Sequence, residues 1–185
     1  TAGAATGADA PILLSGARYV DFDSLTIRAT GTGSAGALVW ISGAVKNARF
    51  QNCVLNTAGI AASSRSALKC NSALFDSLVV SNCSIQVPAG SSFAVNLSGP
   101  GSSAGVVLLG NSITLGSSSV NGISIPAATS GITIQGNTLT MAGGGTAIYL
   151  PAASSAVVRG NRITGATVGL DVKGGLIANN FVQAS

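Results

Sequence analysis

One six-residue phrase recurs along this chain and constrains its fold more than any other feature. It reads Phe22-Asp-Ser-Leu-Thr-Ile27, Phe50-Gln-Asn-Cys-Val-Leu55, Val80-Ser-Asn-Cys-Ser-Ile85, Leu108-Leu-Gly-Asn-Ser-Ile113, Ile134-Gln-Gly-Asn-Thr-Leu139, Val158-Arg-Gly-Asn-Arg-Ile163 and Ile177-Ala-Asn-Asn-Phe-Val182. Successive copies begin 28, 30, 28, 26, 24 and 19 residues apart. Such a period is the mark of a solenoid, in which each repeat buries its apolar face only by stacking on its neighbours.

The third position of the phrase holds Ser24, Asn52, Asn82, Gly110, Gly136, Gly160 and Asn179. Gly and Asn accept positive φ at little steric cost, so each repeat is expected to turn one tight left-handed corner there. Apolar residues two apart precede it, as in Val20/Phe22, Leu78/Val80 and Ile132/Ile134. That is strand spacing. A further short apolar stretch lies upstream in every repeat: Ile12–Leu14, Val39–Ile41, Leu68–Cys70, Val95–Leu97, Ile123–Ile125, Ile148–Leu150 and Leu170–Val172. Tracts such as Gly31-Thr-Gly-Ser-Ala-Gly36 and Ser117-Ser-Ser119 supply turns between them. No apolar pattern repeats at helical spacing.

Three short strands per repeat, each parallel to its counterpart in the next, make an all-β chain forming a parallel β-helix of about seven coils. The left-handed hexapeptide type needs near-constant coils, whereas these vary in length, so the expected hand is right. At ~4.8 Å per coil the rod would be roughly 30 Å long. Residues 1–185 read as a single domain. The position after each corner, Leu25, Cys53, Cys83, Asn111, Asn137, Asn161 and Asn180, is expected to point inward. Cys53 and Cys83 then stack on adjacent coils. Their parallel Cβ vectors suit a disulfide poorly, so buried free thiols are expected, with Cys70 as core packing.

The apolar-x-Gly-Asn-x-apolar phrase resembles that of the pectin-lyase-like superfamily of right-handed parallel β-helices, over nearly the whole chain. The resemblance implies an asparagine ladder in the C-terminal coils, where stacked amides satisfy one another inside the rod. It also implies that an enzyme of this kind would carry carboxylates on or beside the outer row of the upstream strand. That row here is Leu13, Trp40, Lys69, Asn96, Ser124, Tyr149 and Asp171, with a single acid. The superfamily hosts lyases, hydrolases, esterases, phage tail spikes and adhesins, so it does not by itself fix a function.

Composition narrows the chemistry. The chain has no His and no Glu, and its acids are Asp9, Asp21, Asp23, Asp76 and Asp171. Acid–base pairs, nucleophilic triads and zinc sites draw mostly on the missing residues. No cofactor or metal site is expected, and no glycine-rich turn has the lysine of a phosphate loop. The weak catalytic candidates are Asp21 and Asp23, two apart on one outer face and so ~6.5–7 Å apart, as in inverting glycosidases. A solvated charged patch is the better reading of them. Trp40 and Tyr149 are expected to be exposed, with Lys69, Asn96, Ser124 and Asp171 along the same row, and could form a glycan groove there.

The net charge is +4, yet no charged residue occurs between Ser77 and Val158, and charged residues are only 8% of the chain. Ordinary domains are about a quarter charged. Arg18, Arg28, Lys46, Arg49, Arg65 and Lys69 gather in the first coils, too few and too poor in aromatics for a nucleic-acid surface. The outer face of the strand before the corner reads Asp21, Arg49, Val79, Val107, Thr133, Val157 and Leu176, with Leu109 nearby. From the third coil on it is an apolar stripe, which suggests a contact face. Neither end carries a recognisable cap, so the chain is expected to be part of a longer β-helix or a self-associating subunit. Thr1 is not a natural start, and no membrane span or lipidation motif is seen. Asn82-Cys-Ser and Asn96-Leu-Ser match the N-glycosylation pattern.

Two functions remain open. One is a non-catalytic structural or adhesive module of an extracellular, cell-surface or virion-surface assembly, meeting other copies or neighbouring domains through the stripe and the coil ends. The other is a carbohydrate-active or glycan-binding module, of lyase, hydrolase or tail-spike type, using the Trp40–Tyr149 row.

Overall fold

In the computed structural model, residues 10–29, 36–60, 64–71, 76–88, 91–99, 103–116, 121–126, 129–153 and 155–185 are described. Asp9 and the Gly31–Ala35 and Ser117–Ser119 tracts lie outside them. The chain is an all-β parallel solenoid with three sheets and, among the described residues, no helix.

Each sheet takes one strand per repeat. The first contains Ile12–Leu14, Ala37–Ile41, Ser64–Cys70, Ser91–Leu97, Asn121–Ser124, Thr146–Leu150 and Val168–Val172. The second runs through Arg18–Asp23, Lys46–Gln51, Leu78–Ser81, Ser103–Leu109, Thr129–Gln135, Ala156–Arg159 and Gly175–Ala178. The third, beyond the corner, is Thr26–Arg28, Val54–Asn56, Ser84–Val87, Ser112–Leu115, Thr138–Met141, Arg162–Ala166 and Phe181–Ala184.

The corners explain why the six-residue phrase recurs. Ser24, Asn52, Asn82, Gly110, Gly136, Gly160 and Asn179 all have φ between +52° and +64°. The N–H of each of the first six donates to a carbonyl of the next coil at 2.9–3.1 Å, for example Gly110 to Gln135 and Gly136 to Arg159. The parallel ladder therefore continues around the bend, and the backbone donors of these six corners are satisfied.

A second left-handed column stands three residues before the phrase. It holds Tyr19 (φ +55°), Asn47 (+51°), Gly105 (+72°) and Gly131 (+65°). The pairing steps over these residues, from Arg18↔Lys46 to Val20↔Ala48 and from Ala104↔Ser130 to Val106↔Ile132. The conformation is free for glycine, whereas it costs an L-residue about 1–2 kcal/mol.

Leu, Ile, Val and Phe side chains from all three sheets meet inside, and the largest of them, Phe50, is fully buried. Each such side chain contributes roughly 1.5–3 kcal/mol of burial. Phe22 lies stacked on Phe50, with ring centroids 4.7 Å apart. The closed interior extends over about five turns, a correction to the expected seven. The terminal strands complete each sheet but enclose less: Leu25, Ile177, Phe181 and Val182 are 42–50% exposed. Leu25, expected inside, is open because no described coil lies on its far side.

The column behind the corner is a continuous run of hydrogen bonds. Asn137 Oδ1 accepts from both the backbone N–H and the side-chain amide of Asn111, each at 2.9 Å. Asn161 Oδ1 does the same for Asn137, and Asn180 Oδ1 for Asn161. The second amide proton goes to a backbone carbonyl, Val80 for Asn111 and Leu108 for Asn137. Asn111 Oδ1 in turn accepts from the N–H of Cys83 at 2.9 Å. Cys53 and Cys83 are buried and carry no disulfide.

Candidate functional site

Three groups of residues bear on function, on two faces of the rod. The first is the outer row of the first sheet. Leu13, Trp40, Lys69, Asn96, Ser124, Tyr149 and Asp171 pair in strict sequence across its strands. They therefore form one column, with Trp40 and Tyr149 four coil steps, or ~19 Å, apart. The column is not an open groove. Ser124, expected to be exposed, is only 4% exposed, a correction that breaks the row at its middle. Trp40, Lys69, Asn96 and Tyr149 are half-buried, and only Leu13 and Asp171 are open to solvent. Lys69 Nζ sits 4.7 Å from the centre of the Trp40 ring, which satisfies the cation and covers the aromatic face. Partial burial lowers the Lys69 pKa.

The second group is Asp21 and Asp23, both exposed on the second sheet. Alternation places them on one side of their strand, yet the two acids have different partners. Asp21 Oδ2 lies 3.8 Å from Arg49 Nη1 on the next coil. Asp23 Oδ1 accepts from Asn52 Nδ2 at 2.8 Å and from Ser24 Oγ at 3.1 Å, so it braces the first corner against the second. Each acid is directed towards a neighbouring coil, and the geometry gives no shared proton or flanked bond on which the pair would act.

The third group is the stripe. Asp21, Arg49, Val79, Val107, Thr133, Val157 and Leu176 are successive register partners on the second sheet. Val79, Val107, Thr133 and Val157 are half-buried, and Leu176 is 55% exposed. Leu109 belongs to the neighbouring outer column, opposite Ser81 and Gln135, and is exposed at 41%. The face changes character along the rod, from an ion pair over the first two coils to uncharged, largely apolar side chains beyond.

At the charged end, Tyr19, Val20, Asp21, Asn47 and Arg49 line a shallow hollow of about 180 Å³. Sequence reasoning missed Tyr19 and Asn47. Stepping back three residues from each phrase would have aligned them with Gly105 and Gly131, and so marked a position where glycine is the cheap solution. Among the described residues, no group of three or more Asp, Glu, Cys or His side chains is placed to hold a metal ion. Compared with known protein families, curated proteins and solved structures, the chain matches none.

Proposed function

We propose that this chain is a non-catalytic structural or adhesive β-solenoid module that associates with further copies of itself through the outer face of the second sheet. The observation that carries this reading is the unbroken register of Val79, Val107, Thr133, Val157 and Leu176, the first four of them within a stretch that lacks charge from Ser77 to Val158. A charged fringe would oppose close approach of two such faces, and a largely apolar column some 19 Å long favours it. The finer assignment is a right-handed helix with a pectin-lyase-like ladder of asparagines, working outside the cell or on a virion. It rests on the repeated phrase and on the amide column from Asn111 to Asn180.

Sedimentation velocity across a concentration series tests the assembly. The wild-type chain is expected to self-associate, and the Val107→Lys/Val157→Lys double variant to remain monomeric with an unchanged circular-dichroism spectrum. A wild-type chain that stays monomeric, or a double variant that assembles equally well, would sink the reading. The Trp40–Tyr149 row is the weaker basis for a carbohydrate-active function, because Ser124 is buried within it and Lys69 covers the Trp40 ring.

A further inference from the structure

The hollow at the charged end of the second sheet brings an aromatic ring, an amide, a carboxylate and a guanidinium together, and one of them, Tyr19, is kept there against the preference of its backbone. In the left-handed column the fourth and fifth coils use Gly105 and Gly131, while the first two use Tyr19 and Asn47. A bulky aromatic at positive φ is an outlier that persists only where something over-determines it. Packing does not, because Tyr19 is 80% exposed. The ring is thus held out over the hollow on a strained support.

The other groups are polar and incompletely committed. The Asp21–Arg49 contact of 3.8 Å is looser than the ~2.7–2.9 Å of a charge-assisted hydrogen bond. The carboxylate retains acceptor sites and the guanidinium retains donors. Asn47, on the adjacent coil, brings an amide with both capacities. A carboxylate beside a guanidinium matches two adjacent hydroxyls, one donating and its neighbour accepting. An aromatic face beside them suits the C–H face of the ring that bears those hydroxyls. Asp23 is outside this arrangement, since Asn52 and Ser24 already engage it.

We propose that Tyr19, Asn47, Asp21 and Arg49 bind one neutral pyranose unit of a glycan, by stacking on Tyr19 and by hydrogen bonds from a vicinal diol to the Asp21–Arg49 pair. This is a binding site on a different sheet from the Trp40 row; because Asp21 and Arg49 head the same outer column as Val79 and Val107, it is tested at protein concentrations where the chain is monomeric.

The test is an NMR titration of the full ¹⁵N-labelled chain with maltose, cellobiose and mannobiose. Binding by at least one disaccharide is expected, with shifts concentrated at Tyr19–Asp21 and Asn47–Arg49. Tyr19→Gly, which adopts the solution used at Gly105, should keep the fold and weaken binding about tenfold or more, equivalent to ~1.4 kcal/mol. Asn47→Gly tests the amide in the same way, again with a residue suited to the backbone. Absence of binding by all three sugars, shifts centred on Trp40 and Tyr149, or undiminished binding in Tyr19→Gly would each overturn the proposal.

Discussion

The backbone N–H of Cys53 donates to the sulfur of Cys83 at 3.4 Å, in the place where the later coils use an asparagine oxygen. The sulfur of Cys83 also lies 3.3 Å from the carbonyl of Ser81. A thiol therefore fills the amide's position in this coil, accepting from one neighbour and donating to backbone, but more weakly on both sides.

Burial, above all, raises the Cys83 thiol from 9.0 to about 11. Below pH 9.0 the folded and unfolded chains both hold the proton; between there and about 11 only the unfolded chain releases it. Stability should therefore fall across that window, by roughly 2–3 kcal/mol in all. Lys69, lowered by burial, contributes with the opposite sign as pH rises towards its ordinary value. Comparison with Cys83→Asn cancels the Lys69 contribution. That variant should lose the thiol-dependent decline and accept the Cys53 N–H with an amide oxygen, as read by urea unfolding at about pH 8 and about pH 11.

Asn137→Ala removes the acceptor for two Asn111 donors and leaves the Leu108 carbonyl without its amide. Unsatisfied buried groups cost ~1–3 kcal/mol each, so a loss of about 3 kcal/mol or more is expected. A denaturation midpoint within error of wild type would show that the column is dispensable.

Two glycines should respond differently to alanine. A Cβ on Gly136 meets nothing within 4 Å, so Gly136→Ala costs only the left-handed backbone, about 1–2 kcal/mol. Gly136→Asn should cost less, because Asn52, Asn82 and Asn179 hold the same corner. Gly165→Ala would drive its Cβ into the Met141 carbonyl and should be the most damaging of the three in thermal unfolding.

Phe50 and Phe22 are stacked, but only Phe50 is fully buried. Phe50→Ala should cost ~3–5 kcal/mol, as for a well-packed core aromatic. Phe22→Ala, at the half-open first coil, should cost distinctly less in the same chemical-denaturation assay.

The repeat, the corners and the three strand positions were legible because each demands a recurring residue type: Gly or Asn at positive φ in every corner after Ser24, apolar residues two apart, and a Cys or Asn behind each bend after Leu25. The outer rows were legible as registers, since Trp40↔Lys69 and Val79↔Val107 follow from aligned phrases. Alternation gives the side of the sheet a residue faces and not how far its surroundings cover it, so the burial of Ser124 was not visible there. Leu25 failed for a related reason: an inward position buries a side chain only when coils close on both sides. The hollow escaped because Tyr19 breaks the residue preference of its column, and a pattern search discards such a break as noise.

The amides behind the corners all run one way along the rod, from Asn111 through Asn137 and Asn161 to Asn180. Asn111, Asn137 and Asn161 each present an acceptor and one amide proton to the coil before, and the backbone N–H and the other amide proton to the asparagine of the coil after. A coil of this kind is thus an interchangeable link. Duplicating the stretch from Leu108 to Thr133 would insert another without altering either junction, so the length of the rod is a quantity that tandem duplication can change while the cross-section stays the same.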